Sequence, residues 1–248
     1  MIEFRHVCAG YGSTEVLKDI SFTVPEGSFT ALIGPNGCGK TTLLRVAAGL
    51  LPLRSGEILL KGRSLSDYER KELARTAAFL PQVRSIPGIS VGALVAHGRF
   101  PYLGLSRQMR EADRVAVRRA MEETGVSQWA NRDLRELSGG ERQRVYIAMA
   151  LAQDTDLIFL DEPTAYLDPG RQFELLDLVA ELNRRGKTVV TVLHERSHAL
   201  TRSPRVVLLE DGRLVTQGTP EEIVSGGAIE QVFRVRIHRA EDTYYITP

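Results

Sequence analysis

The chain has 248 residues, of which 43% are hydrophobic and 25% charged, a balance typical of globular proteins with a sizeable core. Its net charge of +1 argues against a broad electrostatic surface for nucleic acid or anionic lipid. The two cysteines, Cys8 and Cys38, are too few for a disulfide framework and favour a reducing cytosol.

The sequence predicts a chain that does not cross a membrane itself. No apolar run approaches the roughly 18–20 residues that a span needs, and residues 1–6 (MIEFRH) lack the apolar stretch of a secretory signal. If the protein serves a membrane, we expect another chain to cross it.

The first third of the chain predicts short strands followed by a phosphate-binding loop. Strands are predicted at residues 2–7, 20–24 and 29–33. Residues 34–41 (GPNGCGKT) then match G-x-x-x-x-G-K-[ST] at every fixed position. An apolar helix at residues 41–51, stopped at Pro52, completes the strand–loop–helix context of a P-loop. Such a match arises by chance in roughly one chain of this length in a hundred.

The middle third changes from strands to helices. A strand is predicted at 58–60 with a hairpin turn at Lys61-Gly62, and a core strand at 77–80. From about residue 83 the sequence becomes charged and helix-rich, with an amphipathic helix at 109–124. We interpret residues 83–152 as an inserted helical subdomain within a single domain, 1–248, whose core comprises about 1–82 and 153–248.

The last third returns to alternating strands and helices. Strands of parallel-sheet length are predicted at 157–160 and 189–193, with an amphipathic helix at 171–184 between them. Two further strands, at 206–209 and 213–216, flank the hairpin signal Asp211-Gly212. The tail from residue 223 has no readable pattern.

A second glycine-rich helix start lies about a hundred residues after the P-loop. In residues 137–143 (LSGGERQ), Ser138, Gly139 and Gly140 open a predicted helix with exposed backbone N–H groups and a hydroxyl. The chain therefore carries two anion-binding helix starts, and one ATP needs only one of them for its β-phosphate.

A third signal is the strand of residues 157–162 (LIFLDE), which ends in adjacent carboxylates at the edge of the sheet where ligands collect.

These features together resemble the ATP-binding-cassette (ABC) ATPases, in which an LSGGQ-type signature caps the γ-phosphate held by a partner subunit. The resemblance extends from Tyr11 to about Pro220. It implies an α/β P-loop NTPase fold with a mixed parallel core sheet, an N-terminal antiparallel β subdomain and an inserted α-helical subdomain. It also implies ATP and Mg²⁺ as the bound groups.

The resemblance assigns site residues by position. The implied ATP-binding residues are Tyr11, Gly34, Pro35, Asn36, Gly37, Cys38, Gly39, Lys40, Thr41, Thr42, Ser138, Gly139, Gly140, Glu141 and Asp168. The implied catalytic residues are Lys40, Gln82, Glu162 and His194, and the implied Mg²⁺ ligands are Thr41, Gln82 and Asp161.

Several of these residues have simpler interpretations. Tyr11, implied to stack on adenine, is otherwise a loop-packing residue. Gln82, implied to contact Mg²⁺, is otherwise a surface residue, and Asp168, implied to lie at a dimer seam, is also a natural helix N-cap. Glu162 is implied to be the general base and His194 the γ-phosphate sensor.

Two positions depart from the common family pattern. Glu141 stands where many members have glutamine, and Glu195 follows His194 where many have aspartate; neither implies a loss of activity. The remaining histidines are interpreted as structural, without metal-ligand spacing, and are His6, His97, His198 and His238.

The implied assembly is a head-to-tail dimer that buries two ATP molecules, each between one P-loop and the partner's signature. Residues 96–102 (AHGRFPY), 163–168 (PTAYLD) and 217–222 (QGTPEE) look like the ATPase subunits of iron-siderophore, haem and cobalamin importers. Such subunits lie at the cytoplasmic face of the membrane, bound to separate polytopic permease chains and served by a substrate-binding protein. By this resemblance residues 84–105 contact a permease helix; an ordinary lobe surface is the alternative.

Other functions stay open at this point. The cassette of an exporter is nearly the same as that of an importer. A soluble ABC ATPase of DNA repair or translation usually carries coiled coils, zinc modules or a second cassette, which this chain lacks, and the near-zero charge argues against nucleic acid. A catalytically silent regulator is disfavoured because every hydrolysis position is filled. The cargo is not encoded here, because specificity would lie in the binding protein and the pore.

Overall fold

Two β-sheets organise the computed structural model, which describes residues 1–82, 86–104, 108–241 and 243–247. Its strands are β1 (Ile2–Tyr11), β2 (Thr14–Val24), β3 (Phe29–Ile33), β4 (Ser55–Leu60), β5 (Arg63–Ser64), β6 (Ala77–Leu80), β7 (Leu157–Asp161), β8 (Thr188–Val192), β9 (Arg205–Glu210), β10 (Arg213–Gly218), β11 (Arg236–Ala240) and β12 (Thr243–Thr247). Its α-helices are α1 (Lys40–Ala47), α2 (Arg70–Thr76), α3 (Val91–Ala96), α4 (Glu111–Glu123), α5 (Gly139–Ala152), α6 (Pro169–Arg184), α7 (Arg196–Arg202), α8 (Pro220–Ser225) and α9 (Ala228–Phe233).

The larger sheet has the strand order β10-β9-β3-β8-β7-β6 among the described residues. Its neighbours pair in parallel except for β10, which is antiparallel to β9. The smaller sheet, β2-β1-β4-β5, is antiparallel. The predicted combination of a mixed parallel core sheet with an N-terminal antiparallel unit is confirmed.

Burial on both faces explains the apolar composition of the central strands. All five residues of β3 are buried, as are all five of β7 and of β8. Along β3, Leu32 packs into the cluster with α1 and the antiparallel sheet, whereas Ala31 and Ile33 pack into the cluster with α7 and α9. This alternation is the period of two that a strand imposes on its side chains. The parallel strands therefore align their carboxyl ends at one edge.

The helices between β6 and β7 pack around a buried ion pair. Arg99 Nε lies 3.0 Å from Asp113 Oδ1, and both side chains are less than a tenth exposed. Arg99 also donates to Ala152 O at 2.9 Å and lies over the Tyr102 ring, 3.7 Å from its centroid. The division of the chain into core and helical subdomain stays a prediction. Its proposed start at residue 83, and the ends of the segment 84–105, lie outside the described residues.

Several sequence-based boundaries differ from the structure. The strands predicted at 2–7 and 20–24 are longer, as β1 (Ile2–Tyr11) and β2 (Thr14–Val24). Helix α1 ends at Ala47 rather than at residue 51, because Gly49 adopts a φ of +67° and Leu50 N donates to Arg45 O at 2.8 Å. This is a glycine-type helix stop, and it precedes Pro52. The tail from residue 223, the least readable part of the sequence, contains the end of α8, α9 and the hairpin β11–β12.

None of the helices described is both long enough and apolar enough to span a membrane.

Candidate nucleotide-binding site

The P-loop connects β3 to α1 through backbone that only glycine fits. Gly34 has a φ of +154°, and a Cβ there would lie 2.2 Å from Leu209 O. Gly39 has a φ of +103°, and its Cβ would lie 2.8 Å from Leu17 Cδ2. The loop is therefore packed against β9 and β2 on its inner side.

The ammonium group of Lys40 is held by its own loop. Lys40 is 6% exposed, and Nζ donates to Gly34 O at 2.8 Å and to Pro35 O at 2.9 Å. Nζ also lies 3.8 Å from the buried Cys38 Sγ. Burial raises the pKa of the Cys38 thiol, although the nearby Lys40 charge opposes that rise. The structure thus fixes one positive charge inside the loop.

Thr41 and Asp161 join the P-loop to the end of β7. Thr41 Oγ1 donates to Asp161 Oδ1 at 2.8 Å, and Asp161 is 3% exposed. Burial raises the pKa of Asp161 above its ordinary value; the hydrogen bond from Thr41 opposes this and the neighbouring Glu162 charge adds to it. A hydroxyl and a carboxylate oxygen at this spacing are a donor set that suits Mg²⁺, which prefers hard oxygen ligands.

Glu162 is contacted by side chains from two other segments. Gln82 Nε2 donates to Glu162 Oε2 at 2.7 Å, and His194 Nε2 lies 2.6 Å from Glu162 Oε1. Gln82 follows β6 and His194 follows β8, so both flank the end of β7 because those strands are its neighbours. Glu162 itself has a φ of +53°, a conformation that is strained for a side chain of this size.

A cavity of about 490 Å³ collects most of these groups. Its lining consists of Val16, Asn36, Gly37, Gly39, Lys40, Thr41, Thr42, Gln82, Glu162 and His194. Sequence reasoning missed Val16, which reaches the cavity because β2 lies against the loop: a Cβ on Gly39 would be 3.3 Å from Val16 Cγ1. No sequence pattern distinguishes this valine from a core residue.

Tyr11 lies at the end of β1 and does not line this cavity. Its side chain is 43% exposed, and Tyr11 Oη accepts a hydrogen bond from Arg45 Nη1 at 3.2 Å. An exposed ring on the P-loop side of the molecule is available to a planar ligand. Its predicted stacking on adenine stays a prediction.

Three residues of the signature segment, Gly139, Arg142 and Gln143, line a different cavity, of about 480 Å³. Ser138 is the N-cap of α5: Glu141 N donates to Ser138 Oγ at 3.4 Å, and Ser138 N donates to Glu141 Oε2 at 2.7 Å. Glu141 thus completes a capping box, a role that glutamine also fills, and hydrogen bonds from Ser138 hold the pKa of Glu141 below its ordinary value. A Cβ on Gly140 would lie 3.2 Å from Arg171 Cδ, so this helix start packs closely on α6.

Asp168 is the N-cap of α6, with Oδ1 accepting from Arg171 N at 3.1 Å. The helix-capping interpretation is thus observed, and the dimer-seam role stays a prediction.

The histidines outside the cavity have protein contacts. His6 Nδ1 lies 2.7 Å from Asp19 Oδ1, His97 stacks on Phe100, His198 packs edge-on against Phe173, and His238 stacks on Tyr245.

Comparison with known proteins agrees with this arrangement. The family model for "ABC transporter" matches residues 17–165. The chain is 42% identical over 249 residues to the petrobactin import ATP-binding protein FpuD of Bacillus anthracis, covering 100% of this chain and 91% of that protein. It is also 42% identical over 241 residues to the ferric enterobactin transport ATP-binding protein FepC of Escherichia coli (strain K12), covering 96% and 89%. A solved dimeric structure of MJ0796, a bacterial ABC transporter cassette, matches with a TM-score of 0.76 at 29% identity, covering 89% of this chain and 99% of that one.

The family model alone spans more than half of the chain, and the relatives span nearly all of it. The resemblance inferred from the motifs is thereby confirmed, including its likeness to iron-siderophore importer subunits. The chain belongs to the ABC transporter family, as an ATP-hydrolysing cassette.

Proposed function

We propose that this chain powers the import of an iron chelate of the siderophore type through separate membrane subunits. The observation that carries the proposal is the 42% identity, over 96% or more of the chain, to proteins named for petrobactin import and ferric enterobactin transport. Export is the alternative, since the cassette geometry does not depend on direction; no observation on this chain favours it. We place the chain at the cytoplasmic face of the membrane, bound to a polytopic permease that receives cargo from a substrate-binding protein.

The proposed reaction begins with capture of the triphosphate by the P-loop. Successive backbone N–H groups of residues 34–41 would cradle the phosphate oxygens. Lys40 would exchange its bonds to Gly34 O and Pro35 O for phosphate oxygens, which are stronger acceptors of a charged donor. Because the ammonium is already buried beside the loop, little side-chain ordering is required on binding.

Thr41 and Asp161 fit the role of Mg²⁺ ligands, with Gln82, which also lines the cavity, as a further candidate. When bound, Mg²⁺ would neutralise charge that develops on the phosphate oxygens during phosphoryl transfer. The hydrogen bond that Thr41 now donates to Asp161 would give way to shared coordination. Burial of Asp161 already disfavours its lone negative charge, which supports a site completed by a cation.

Glu162 is the proposed general base for the attacking water. Its carboxylate lines the cavity and is oriented by Gln82 and His194, one on each oxygen. Each oxygen has a second lone pair beside this contact, so a water molecule can donate to Glu162 while Gln82 and His194 hold the carboxylate in place. His194 lies on the exposed side of the cavity, and we assign to it the contact with the γ-phosphate.

The signature is proposed to serve a second copy of the chain. Ser138, Gly139 and Gly140 begin α5, and Gly139 lines a cavity other than that of Lys40. The likeness to a dimeric cassette supports a head-to-tail pair in which each signature completes the partner's site. ATP would favour the closed pair through contacts that hydrolysis removes.

Reconstitution tests the proposed direction and cargo together. The chain, its permease and its binding protein are placed in liposomes with ATP inside, and accumulation of radioactive ferric siderophores is measured. We expect uptake that requires ATP and is lost when Lys40→Ala replaces the native chain. ATP-dependent efflux of the same chelates, or ATP hydrolysis unaffected by any of them, would contradict the proposal.

A further inference from the structure

The hairpin that carries Tyr11 is a short, otherwise weakly supported loop. Tyr11 pairs with Thr14 across the antiparallel ladder, and only Gly12 and Ser13 lie between them. Gly12 has a φ of +53°, and a side chain added there would meet no neighbouring atom within 4 Å. The turn is therefore exposed, and beyond the β1–β2 ladder at its two ends it is held by contacts other than core packing.

Arg54 supplies that support from the segment before β4. Its Nη2 donates to Gly12 O at 2.6 Å and to Thr14 O at 2.9 Å, while Nη1 donates to Ser13 O at 3.4 Å. The guanidinium thus contacts three successive carbonyl groups of the turn. Arg54 is itself tied to β1, because its backbone N donates to Cys8 O at 2.8 Å.

The shape of the guanidinium matters for this contact. Arginine presents several N–H donors in one rigid plane, whereas the lysine ammonium is a single point charge on a flexible stem. Arg54 reaches the three carbonyl oxygens from two different nitrogens, whereas a lysine would have to bring its one nitrogen within reach of all three. Arg45, on α1, makes a separate contact with the hydroxyl of Tyr11, so the ring and the backbone of the hairpin are held by different side chains.

We infer that Arg54 is a positioning residue for nucleotide binding: it holds the Tyr11 hairpin in place so that the ring meets the base without further ordering. The inference rests on the proposed base contact of Tyr11. Fixing a binding loop in advance removes its ordering cost from the binding free energy. Arg54 should therefore affect the affinity for a ligand with a base and leave affinity for the phosphates unchanged.

Equilibrium binding with two probes tests this directly. ATP and inorganic tripolyphosphate are titrated calorimetrically into chains carrying Glu162→Gln, which prevents turnover. We expect Arg54→Ala to weaken ATP binding about three- to tenfold and to change tripolyphosphate binding less than about twofold. The ATP affinity of Arg54→Lys should lie between that of the parent and that of Arg54→Ala. Arg114→Ala, at an exposed position on α4, should match the parent. Amide hydrogen exchange at residues 12–14 should rise in Arg54→Ala while the thermal midpoint of the whole chain changes little.

Tyr11→Ala separates failure of this inference from failure of the proposed base contact. Loss of the stacking ring should weaken ATP binding about tenfold or more without weakening tripolyphosphate binding. If Tyr11→Ala leaves ATP affinity unchanged, the base contact itself is wrong. If Tyr11→Ala weakens ATP binding but Arg54→Ala does not, or if Arg54→Ala weakens both probes equally, the positioning role of Arg54 is overturned.

Discussion

His194 Nε2 and Glu162 Oε1 lie 2.6 Å apart, which links the residue after β8 to the carboxylate at the end of β7. Gln82 occupies the other oxygen of the same carboxylate. The proposed base is thus oriented by one side chain on each oxygen, and the remaining lone pairs of its carboxylate can accept from a water molecule.

Replacing Glu162 by Gln should stop hydrolysis and preserve nucleotide binding. The amide keeps the size of the side chain and its contact with His194 but cannot accept a proton from water. We expect phosphate release to slow by about 10²–10⁴-fold while ATP affinity changes little. With ATP and Mg²⁺ the variant should elute as a dimer in size-exclusion chromatography. A variant that binds ATP and stays monomeric would count against the clamp.

Asp161→Asn should remove the Mg²⁺ dependence of ATP binding. The parent should bind ATP more tightly in Mg²⁺ than in EDTA. The variant should bind ATP equally weakly in both, with the affinity that the parent shows in EDTA. Burial raises the pKa of Asp161, so its ionised form destabilises the nucleotide-free fold at neutral pH. The variant should accordingly melt at a higher temperature than the parent when both lack nucleotide.

The raised pKa of Asp161 also predicts how Mg²⁺-dependent ATP binding changes with pH. Protons compete with Mg²⁺ for the Asp161 carboxylate, so Mg²⁺-dependent binding in the parent should weaken as the pH falls. That loss should begin at a higher pH than the ordinary aspartate value of about 3.9 allows. Binding by Asp161→Asn should lack this pH-dependent component; an identical pH profile in both proteins would refute the assignment.

Mixing two inactive variants should restore activity if the sites are shared between copies. Lys40→Ala removes the phosphate contact, and Gly139→Asp places a negative charge at the signature. A Cβ at Gly139 would be 3.8 Å from Leu167 Cδ2, an ordinary contact, so this variant should fold. With random pairing, half of the dimers contain one of each variant, and each of these has one intact site of its two. The mixture should therefore reach up to about a quarter of the parent rate. Two variants that stay inactive when mixed would argue for sites within one chain.

Breaking the buried pair of Arg99 and Asp113 should destabilise the helices between β6 and β7. Removing one partner leaves an uncompensated buried charge, so Arg99→Ala should lower the free energy of unfolding by about 3–5 kcal/mol. The exposed pair Arg118–Glu111 offers a matched control, for which Arg118→Ala should cost at most about 1 kcal/mol. Urea unfolding followed by circular dichroism measures both. Equal, small losses would show that burial of the first pair is unimportant.

The pair also predicts a dependence of stability on acid. Burial alone would raise the pKa of Asp113, but hydrogen bonds from Arg110 N and from Arg99 outweigh it and hold the pKa below its ordinary value. Its contribution to stability is present above the unfolded value of about 3.9 and is lost as the pH falls through the folded value. The stability advantage of the parent over Asp113→Asn should therefore shrink below about pH 4.

Features that depend on neighbouring residues in the chain were predictable from the sequence. The strands at Phe29–Ile33 and Ala77–Leu80, and the hairpin at Asp211-Gly212, follow from apolar runs and glycine turns, and the structure agrees. The P-loop and the signature were recognisable because each is a continuous motif. The end of α1 was misplaced because two stop signals, Gly49 and Pro52, lie close together and the first one acts.

Individual contacts between residues distant in the chain were not predictable, although the family resemblance already placed Gln82 and Glu162 in the same site. The contact of Arg45 with Tyr11 joins residues 34 positions apart, and that of Gln82 with Glu162 joins residues 80 apart. The packing of α1 near the end of β1 brings the first pair together, and the neighbouring positions of β6 and β7 in the sheet bring the second. Val16 reaches the cavity for the same reason, through the position of β2 beside the loop.

Because the backbone of Glu162 is left-handed, conformational stability and catalytic activity make opposite demands on this one position. A non-glycine residue held in that conformation costs of order 1–3 kcal/mol, and glycine would relieve it. A glycine variant would therefore be free of this conformational cost, but it would lose the proposed base and its contacts with Gln82 and His194. Selection for thermal stability alone would therefore not preserve glutamate at position 162. Selection for ATP hydrolysis should preserve it despite its conformational cost.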